Sequence, residues 1–110
     1  MGDRGNIKIG KVFLYTHWGG SDIKKDLKKA LEKHERWDDE PYITRIIFDV
    51  LSEGKQGDST GFGISTEICD NDNYILEVDV DNQEIIEWET DDLTVEKERW
   101  TFEKFISEEK

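Results

Sequence analysis

The spacing of the apolar residues differs between two parts of this chain, and that difference limits the choice of fold more than any other feature. Between about residues 21 and 54 the apolar residues recur every three or four positions, whereas from Tyr74 onward they alternate with polar residues. The first spacing gives a helix one apolar face, and the second does the same for a strand. Because a strand pattern also precedes the helical part, we predict an α+β fold: an antiparallel β-sheet with two α-helices packed on one face.

Both helices are predicted in the first half of the chain. Ser21 is a good N-cap for the first helix, and Pro41 suits the first position of the second, where its missing N–H is not needed. Each helix has one apolar stripe that should pack on the sheet. The stripes are Ile23, Leu27, Ala30 and Leu31 in the first helix, and Ile43, Ile46, Ile47, Val50 and Leu51 in the second.

The strands are predicted from runs of β-branched and aromatic residues. Residues 7–16 form an extended segment that is interrupted near Gly10, and residues 59–65 form a short strand. Near the end of the chain, residues 100–102 alternate as in a last strand, and a short helix begins at Phe105. These elements complete the predicted sheet around the two helices.

A hairpin is predicted from Tyr74 onward, with its turn at Asp81-Asn82. Strict alternation would give it one apolar face and one acidic face. The apolar face should consist of Leu76, Val78, Val80, Ile86 and Trp88, and the outer face of Glu77, Asp79, Asp81, Glu87 and Glu89.

The length of 110 residues is that of one domain, predicted to span residues 1–110. Cys69 is the single cysteine, so no internal disulfide is expected. No run approaches the ~18 apolar residues of a membrane span, and the N-terminus lacks the apolar core of a secretory signal. These features predict a cytoplasmic protein that does not enter a membrane.

The sequence indicates neither a metal site nor a cofactor. The two histidines and Cys69 are too far apart in sequence for a structural zinc site. Residues 70–73 begin like a calcium loop, but Tyr74 stands at the fifth position and no glycine follows. Walker loops and GxGxxG patterns are absent from the sequence. We therefore predict no metal ligands and no cofactor.

The net charge is −12, and it is distributed unevenly. Residues 1–55 carry 11 basic and 10 acidic residues, whereas residues 56–110 carry 4 basic and 17 acidic ones. Such a chain lacks the basic surface that binding to nucleic acid or to an anionic membrane requires, so both are excluded as partners. The acidic face of the hairpin indicates either a solvated surface or a contact with a basic protein. A nucleic-acid mimic or an inhibitor of a basic nuclease would use such a contact.

The segment from Tyr15 to Ser21 carries the prediction of a ligand site. It leads from a strand end through Gly19 and Gly20 into a helix N-terminus, where free N–H groups and the helix dipole attract an anion. Trp18 offers a stacking surface, His17 offers a hydrogen bond, and arginines suit phosphate. We therefore predict a non-catalytic protein that sequesters a small phosphorylated, nucleotide-like ligand. The candidate residues are Arg4, Asn6, His17, Trp18, Gly19, Gly20 and Arg36.

Three questions stay open at this point. Asp22 repels phosphate and the N-cap Ser21 already uses one donor, so the ligand would bind through the glycine amides instead of the helix proper. A homo-oligomer interface is one way to complete the site. A small phosphodiesterase-like hydrolase built on His17 is another interpretation, but the sequence shows no base–nucleophile pair, so we name no catalytic residue.

Several blocks of this chain carry a resemblance: residues 1–7, 14–20, 36–42, 45–48 and 60–65, with a looser return at 100–103. In these blocks the chain resembles a family of short uncharacterised proteins that occur in archaea, actinobacteria and phages. Thr16-His17-Trp18-Gly19-Gly20 is the most specific of the blocks, and the likeness weakens through the acidic hairpin. The resemblance implies no established activity. It implies a context, in which small phage-borne proteins counter host defence by sequestering a nucleotide signal or by imitating DNA.

Overall fold

A computed structural model describes residues 2–55 and 57–108. In this part of the chain six strands form one sheet in the order β3-β2-β1-β4-β5-β6. Neighbouring strands are antiparallel except β1 and β4, which pair in parallel at the centre. The predicted α+β class is confirmed. The strands are β1 (Gly5–Ile9), β2 (Val12–Thr16), β3 (Phe62–Ser65), β4 (Ile75–Asp79), β5 (Glu84–Trp88) and β6 (Glu96–Thr101).

Both predicted helices pack on one face of this sheet, here termed the helix face. They are α1 (Ile23–Leu31) and α2 (Glu40–Leu51), and a short helix, α3 (Phe102–Glu108), adds Phe102 and Phe105 to the same core. Every residue of the two predicted stripes is buried except Ile46, which is half-buried. The sheet side of the core consists of Ile7, Ile9, Leu14, Leu76, Val78, Val80, Ile85 and Trp100.

The start of α1 differs from the prediction. A 3₁₀ turn at Gly20–Asp22 precedes the helix, and the residue before its first position is Asp22, which makes no side-chain capping bond. Ser21 is therefore not an N-cap. In α2, by contrast, Asp39 caps the helix by accepting a hydrogen bond from the backbone N–H of Tyr42 at 3.4 Å.

The β4–β5 hairpin corrects the predicted faces of β5. Its turn lies where it was expected, but every pair across it joins an odd residue to an even one, as Val78 pairs with Ile85. The core face of β5 therefore falls on odd numbers, and Glu87, which pairs with Leu76, lies on the helix face. Ile86 and Trp88 lie on the other face of the sheet, here termed the open face. Shifting the pairing register of a strand by one residue moves every one of its side chains to the opposite face of the sheet.

The β5–β6 pair contains an irregularity next to this position. Glu87 lies opposite Glu98, whereas its neighbour Trp88 lies opposite Glu96. Lys97 is therefore an extra residue in β6, the arrangement of a β-bulge, which changes the direction of a side chain.

The connection from β3 to β4, residues 66–74, must pass over two strands because β3 and β4 lie on opposite sides of β2 and β1. We refer to it as the crossover loop. Asn6, whose side chain lies on the open face, bonds to the backbone of Cys69 in this loop. The loop thus crosses the sheet on the open face, at the end where β1 begins.

Ile47 tests the packing of α2 on the sheet, because its side chain is almost completely buried in the core. Truncating Ile47 to Ala should lower the free energy of unfolding by about 2–5 kcal/mol, since it removes apolar contacts and leaves a cavity. Urea unfolding followed by circular dichroism measures this change.

The matched control is Ile64→Ala in β3, where the isoleucine is 61% exposed. The same chemical change there should alter stability by less than about 0.5 kcal/mol. Equal losses in the two variants would contradict the packing described here.

Candidate functional site

Three segments meet at one end of the sheet: the residues that lead into β1, the residues that follow β2, and the crossover loop. Polar side chains join these segments into one network, which we call the N-terminal polar cluster. Its members are Asp3, Arg4, Asn6, Ser21, Asp70, Asp72 and Asn73. The cluster contains two of the predicted ligand residues and borders the others that lie near α1.

Arg4 is bonded to two carboxylates of the crossover loop. Its Nε and Nη2 donate to the two oxygens of Asp72 at 3.0 Å each, and its Nη1 donates to Asp70 at 3.2 Å. The side-chain hydrogen bonds from Arg4, followed by a hydrogen bond from its backbone N–H, lower the pKa of Asp72 to about 2. These contacts use three of the five N–H groups of the guanidinium and leave two for a ligand.

Asn6 is completely buried, and its amide group serves the fold. Its Nδ2 donates to the carbonyl oxygens of Cys69 at 3.3 Å and Asp70 at 3.5 Å, and its Oδ1 accepts from the N–H of Cys69 at 3.3 Å. The prediction that Asn6 contacts a ligand is therefore wrong, because its side chain is buried beneath the crossover loop. A buried amide must find partners, and here the crossover loop provides them.

The sequence predicts free backbone N–H groups before α1, but in the structure these groups are already hydrogen-bonded. The N–H of Gly19 donates to the Thr16 hydroxyl at 3.1 Å, and the N–H of Gly20 donates to the carbonyl of Asp3 at 2.7 Å. The carboxylate of Asp3 accepts from the N–H of Ser21 at 2.8 Å and from its hydroxyl. Hydrogen bonds from Ser21 hold the pKa of Asp3 below its usual value. The anion at this helix start is thus part of the chain itself.

Gly20 is a glycine for a packing reason. A Cβ at this position would lie 2.8 Å from the carbonyl oxygens of both Asp3 and Arg4. The chain that enters β1 passes too close for any side chain. Gly20 therefore allows the contact between two segments of the protein, and the approach of a ligand is not needed to explain it.

His17 and Arg4 line a common cavity of about 390 Å³, together with Gly2 and Asp72. The Nδ1 of His17 is hydrogen-bonded to the Tyr15 hydroxyl at 2.7 Å, which fixes the orientation of the imidazole. Burial raises the pKa of Tyr15, so the phenol stays neutral at physiological pH. The structure thus brings two of the predicted ligand residues to one cavity.

Trp18 contacts His17, which lines this cavity, and its side chain has two neighbours although it is 59% exposed. Its ring meets that of His17 edge-on, with 4.9 Å between the centroids and 84° between the planes. It also contacts Gly61, where a Cβ would lie 2.6 Å from the Cζ3 of Trp18 and where φ is +98°. An exposed tryptophan in a fixed position is a common anchor of recognition surfaces.

Arg36 does not join the site, and its predicted convergence with the other residues is wrong. It is exposed in the α1–α2 connection, where its guanidinium lies 3.8 Å from Asp39 and 4.6 Å from the ring centre of Tyr42. The nine residues of α1 span about 13 Å, and they separate Arg36 from Gly20 at the other end of the helix. A helix is a rigid spacer, so the two ends stay apart.

The predicted acidic face of the hairpin is not one surface. Glu87 is buried on the helix face, and Glu77 is half-buried on the open face, 3.5 Å from the Nζ of Lys8 and bonded to the Nε1 of Trp88 at 3.0 Å. The other predicted members are Asp79, which is half-buried, and Asp81 and Glu89, which are exposed.

The sequence analysis missed Asp3, Asp72 and Tyr15 as members of this region. Asp3 and Arg4 are adjacent in the chain, but their partners lie 18 and 68 residues away. Local spacing carries no information about contacts over such separations. Only the excess of acidic residues in the crossover loop hinted that Arg4 would meet carboxylates there.

Comparison with known proteins assigns no relative, because no family model, no curated protein and no solved structure matches this chain. The resemblance to short archaeal, actinobacterial and phage proteins therefore stays a prediction. In the part of the chain that the structure describes, the helices lack the length and apolar character needed to cross a bilayer.

The pairing of Arg4 with Asp72 predicts a specific loss of stability in acid. Because the pKa of Asp72 falls from 3.8 to about 2, its charge stabilises the fold above about pH 4, and this contribution is lost as the pH falls toward 2. Asp72→Asn should reduce the free energy of unfolding at neutral pH and flatten its decline between pH 4 and 2. Urea unfolding over this pH range measures both effects.

Asp81→Asn is the matched control, because it removes one carboxylate from the exposed hairpin turn. Its pH profile should follow that of the unmodified protein. A profile for Asp72→Asn that also follows it would show that the Arg4 contacts do not hold the crossover loop.

Proposed function

We propose that the protein is a non-catalytic binding protein that sequesters a nucleotide-like ligand at Trp18 and the adjoining cavity. The observation that carries this proposal is the position of Trp18, whose indole is exposed but held by contacts with His17 and Gly61. An indole that is already fixed loses little conformational freedom when a base stacks on it. Such stacking contributes about 1–3 kcal/mol per base.

The cavity beside Trp18 supplies polar contacts of the kind that a ribose needs. The two remaining guanidinium N–H groups of Arg4 are donors, and the carboxylate of Asp72 is ionised at neutral pH and accepts hydrogen bonds from hydroxyl groups. His17 lines the same cavity in an orientation set by Tyr15. A nucleoside could thus place its base on the indole and its ribose in the cavity.

The charges around Arg4 favour the base and the ribose over the phosphate as the anchor. Asp70 and Asp72 both pair with this single guanidinium, and Asp3 adds a third carboxylate to the cluster. A phosphate brought to this region meets a net negative charge. In this proposal the phosphate therefore points to solvent, unlike in the phosphate-anchored site predicted from the sequence.

The resemblance to phage proteins adds a setting to this proposal. A protein that binds a nucleotide signal without converting it lowers the free concentration of that signal in an infected cell. That role requires many copies of the protein and slow release of the bound nucleotide. A small protein with a fixed stacking surface is compatible with both.

Both alternatives have less support. A basic partner on the acidic hairpin would need one continuous face, but Glu87 is buried and Glu77 pairs with Lys8. A hydrolase built on His17 would need a carboxylate or a similar group to orient a catalytic imidazole. The Nδ1 of His17 bonds instead to the phenol of Tyr15.

Calorimetric titration with the four common nucleosides and their 5′-monophosphates tests the proposal. At least one base should bind, with similar affinity for the nucleoside and its monophosphate, because the phosphate points to solvent. Trp18→Ala should weaken that binding by about 5- to 150-fold, the equivalent of about 1–3 kcal/mol, whereas Trp18→Phe should retain most of it.

The matched control is Tyr42→Ala, which removes another aromatic side chain that is 50% exposed, on α2. It should leave the affinity unchanged. Unchanged affinity in Trp18→Ala would place the site elsewhere, and binding of monophosphates but not nucleosides would restore the phosphate as the anchor. Failure of the whole panel to bind would contradict the proposed ligand class.

A further inference from the structure

Glu87 is an acidic residue in a place where the fold does not require one. Its side chain is only 4% exposed, because its cross-strand partner Leu76 faces the core and the pairing puts Glu87 beside it. Burying a carboxylate is costly unless its charge is paired and both its oxygens are hydrogen-bonded. The surroundings of Glu87 meet only part of that condition.

Two lysines flank this carboxylate. The Nζ of Lys24, from α1, lies 3.0 Å from the Oε2 of Glu87 and 5.4 Å from the ring centre of Trp100. The Nζ of Lys97, the extra residue of the bulge, lies 3.6 Å from Oε1 and 5.3 Å from the ring centre of Tyr74. The charge of Glu87 is therefore paired, but the Lys97 distance is too long for a hydrogen bond.

The Oε1 atom of Glu87 has no hydrogen-bond partner among the described residues. The Glu87 side chain borders a cavity of about 210 Å³ whose wall also includes Ser21, Lys24, Asn73 and Tyr74. At roughly 30 Å³ per molecule, this volume equals that of about seven waters. A buried acceptor without a partner is rare in folded proteins and calls for a specific explanation.

We propose that this cavity, the Glu87 cavity, binds a small neutral polyol in the size range from glycerol to a pentose. A hydroxyl group donates to Oε1 of Glu87, and its oxygen accepts from the ammonium group of Lys24, so one hydroxyl pairs with both the acid and the base that line the cavity. The two lysines repel a cationic ligand. A carboxylate or sulfate ligand has no hydrogen to donate to Oε1, whereas a hydroxyl group is neutral and both donates and accepts.

Tyr74 supports this assignment because it lines the cavity and is 47% exposed. The C–H groups of a polyol pack against the Tyr74 ring while the hydroxyls point toward Glu87. The cavity is smaller than the roughly 300–1,000 Å³ of typical ligand pockets, which also favours a ligand of this size.

This inference is independent of the proposed function. The Glu87 cavity and the cavity beside Trp18 have no lining residue in common, and the Glu87 side chain lies on the helix face. Loss of one activity therefore leaves the other measurable.

The test is a titration of the full ¹⁵N-labelled chain with D-ribose and with glycerol, followed by amide chemical shifts. Ribose should shift the amides of Gly20, Ser21 and Tyr74 and leave that of Trp18 unchanged. Glu87→Gln, which replaces one carboxylate oxygen with a donor group, should weaken ribose binding at least tenfold. Glu89→Gln removes the same charge from an exposed position just beyond β5 and should bind ribose normally.

A second variant covers the case in which Glu87→Gln does not fold, since it leaves two lysines without their carboxylate. Tyr74→Ala changes a half-exposed side chain and should weaken ribose binding while the spectrum stays that of the folded protein. The proposal is overturned if neither polyol shifts these amides, because water then satisfies Oε1. It is also overturned if a variant that folds, either Glu87→Gln or Tyr74→Ala, binds ribose as tightly as the unmodified protein.

Discussion

The contact between the crossover loop and the start of β1 is the interaction on which the rest of the structure depends. β1 lies at the centre of the sheet, and the chain must pass over it and β2 to place β4 on its far side. Arg4 and Asn6 hold that passage through Asp72 and the backbone of Cys69. The same contacts bring the carboxylate of Asp3 to the start of α1 and put Arg4 beside His17. Fold and candidate site are therefore built from the same polar cluster.

This shared origin changes what the site can recognise. A helix start and a pair of glycines commonly bind an external anion, but here the donors are already bonded to Asp3 and Thr16. A phosphate would have to displace an intramolecular carboxylate that is tethered at high effective concentration, and it would do so next to two further carboxylates. Stacking on Trp18 meets no such competition. The same preference for internal pairing removes acids from the hairpin surface, since Glu77 and Glu87 bond to lysines and a tryptophan.

The sequence predicts the two helix stripes, the hairpin turn and the fold class correctly because each depends on residues within a few positions of one another. The side of β5 is predicted wrongly because Ile85 and Ile86 are adjacent apolar residues that suit either register. The pairing across the turn decides between them. Among the candidate ligand residues, Arg4, His17 and Trp18 do come together. Asn6 and Gly20 serve the fold, and Arg36 lies beyond the other end of α1.

By itself, then, the sequence determined the helical and strand periods, the position of the hairpin turn, the large negative charge and the presence of a Trp-Gly-Gly segment before a helix. Only the tertiary structure decided which carboxylates are bonded, which amide donors are occupied and which acid is buried against a cavity. The physical reason is distance along the chain. Asp3 meets Ser21 across 18 residues, and Arg4 meets Asp72 across 68. Whether a charge is paired or open to a ligand depends on such contacts, and no local pattern encodes them.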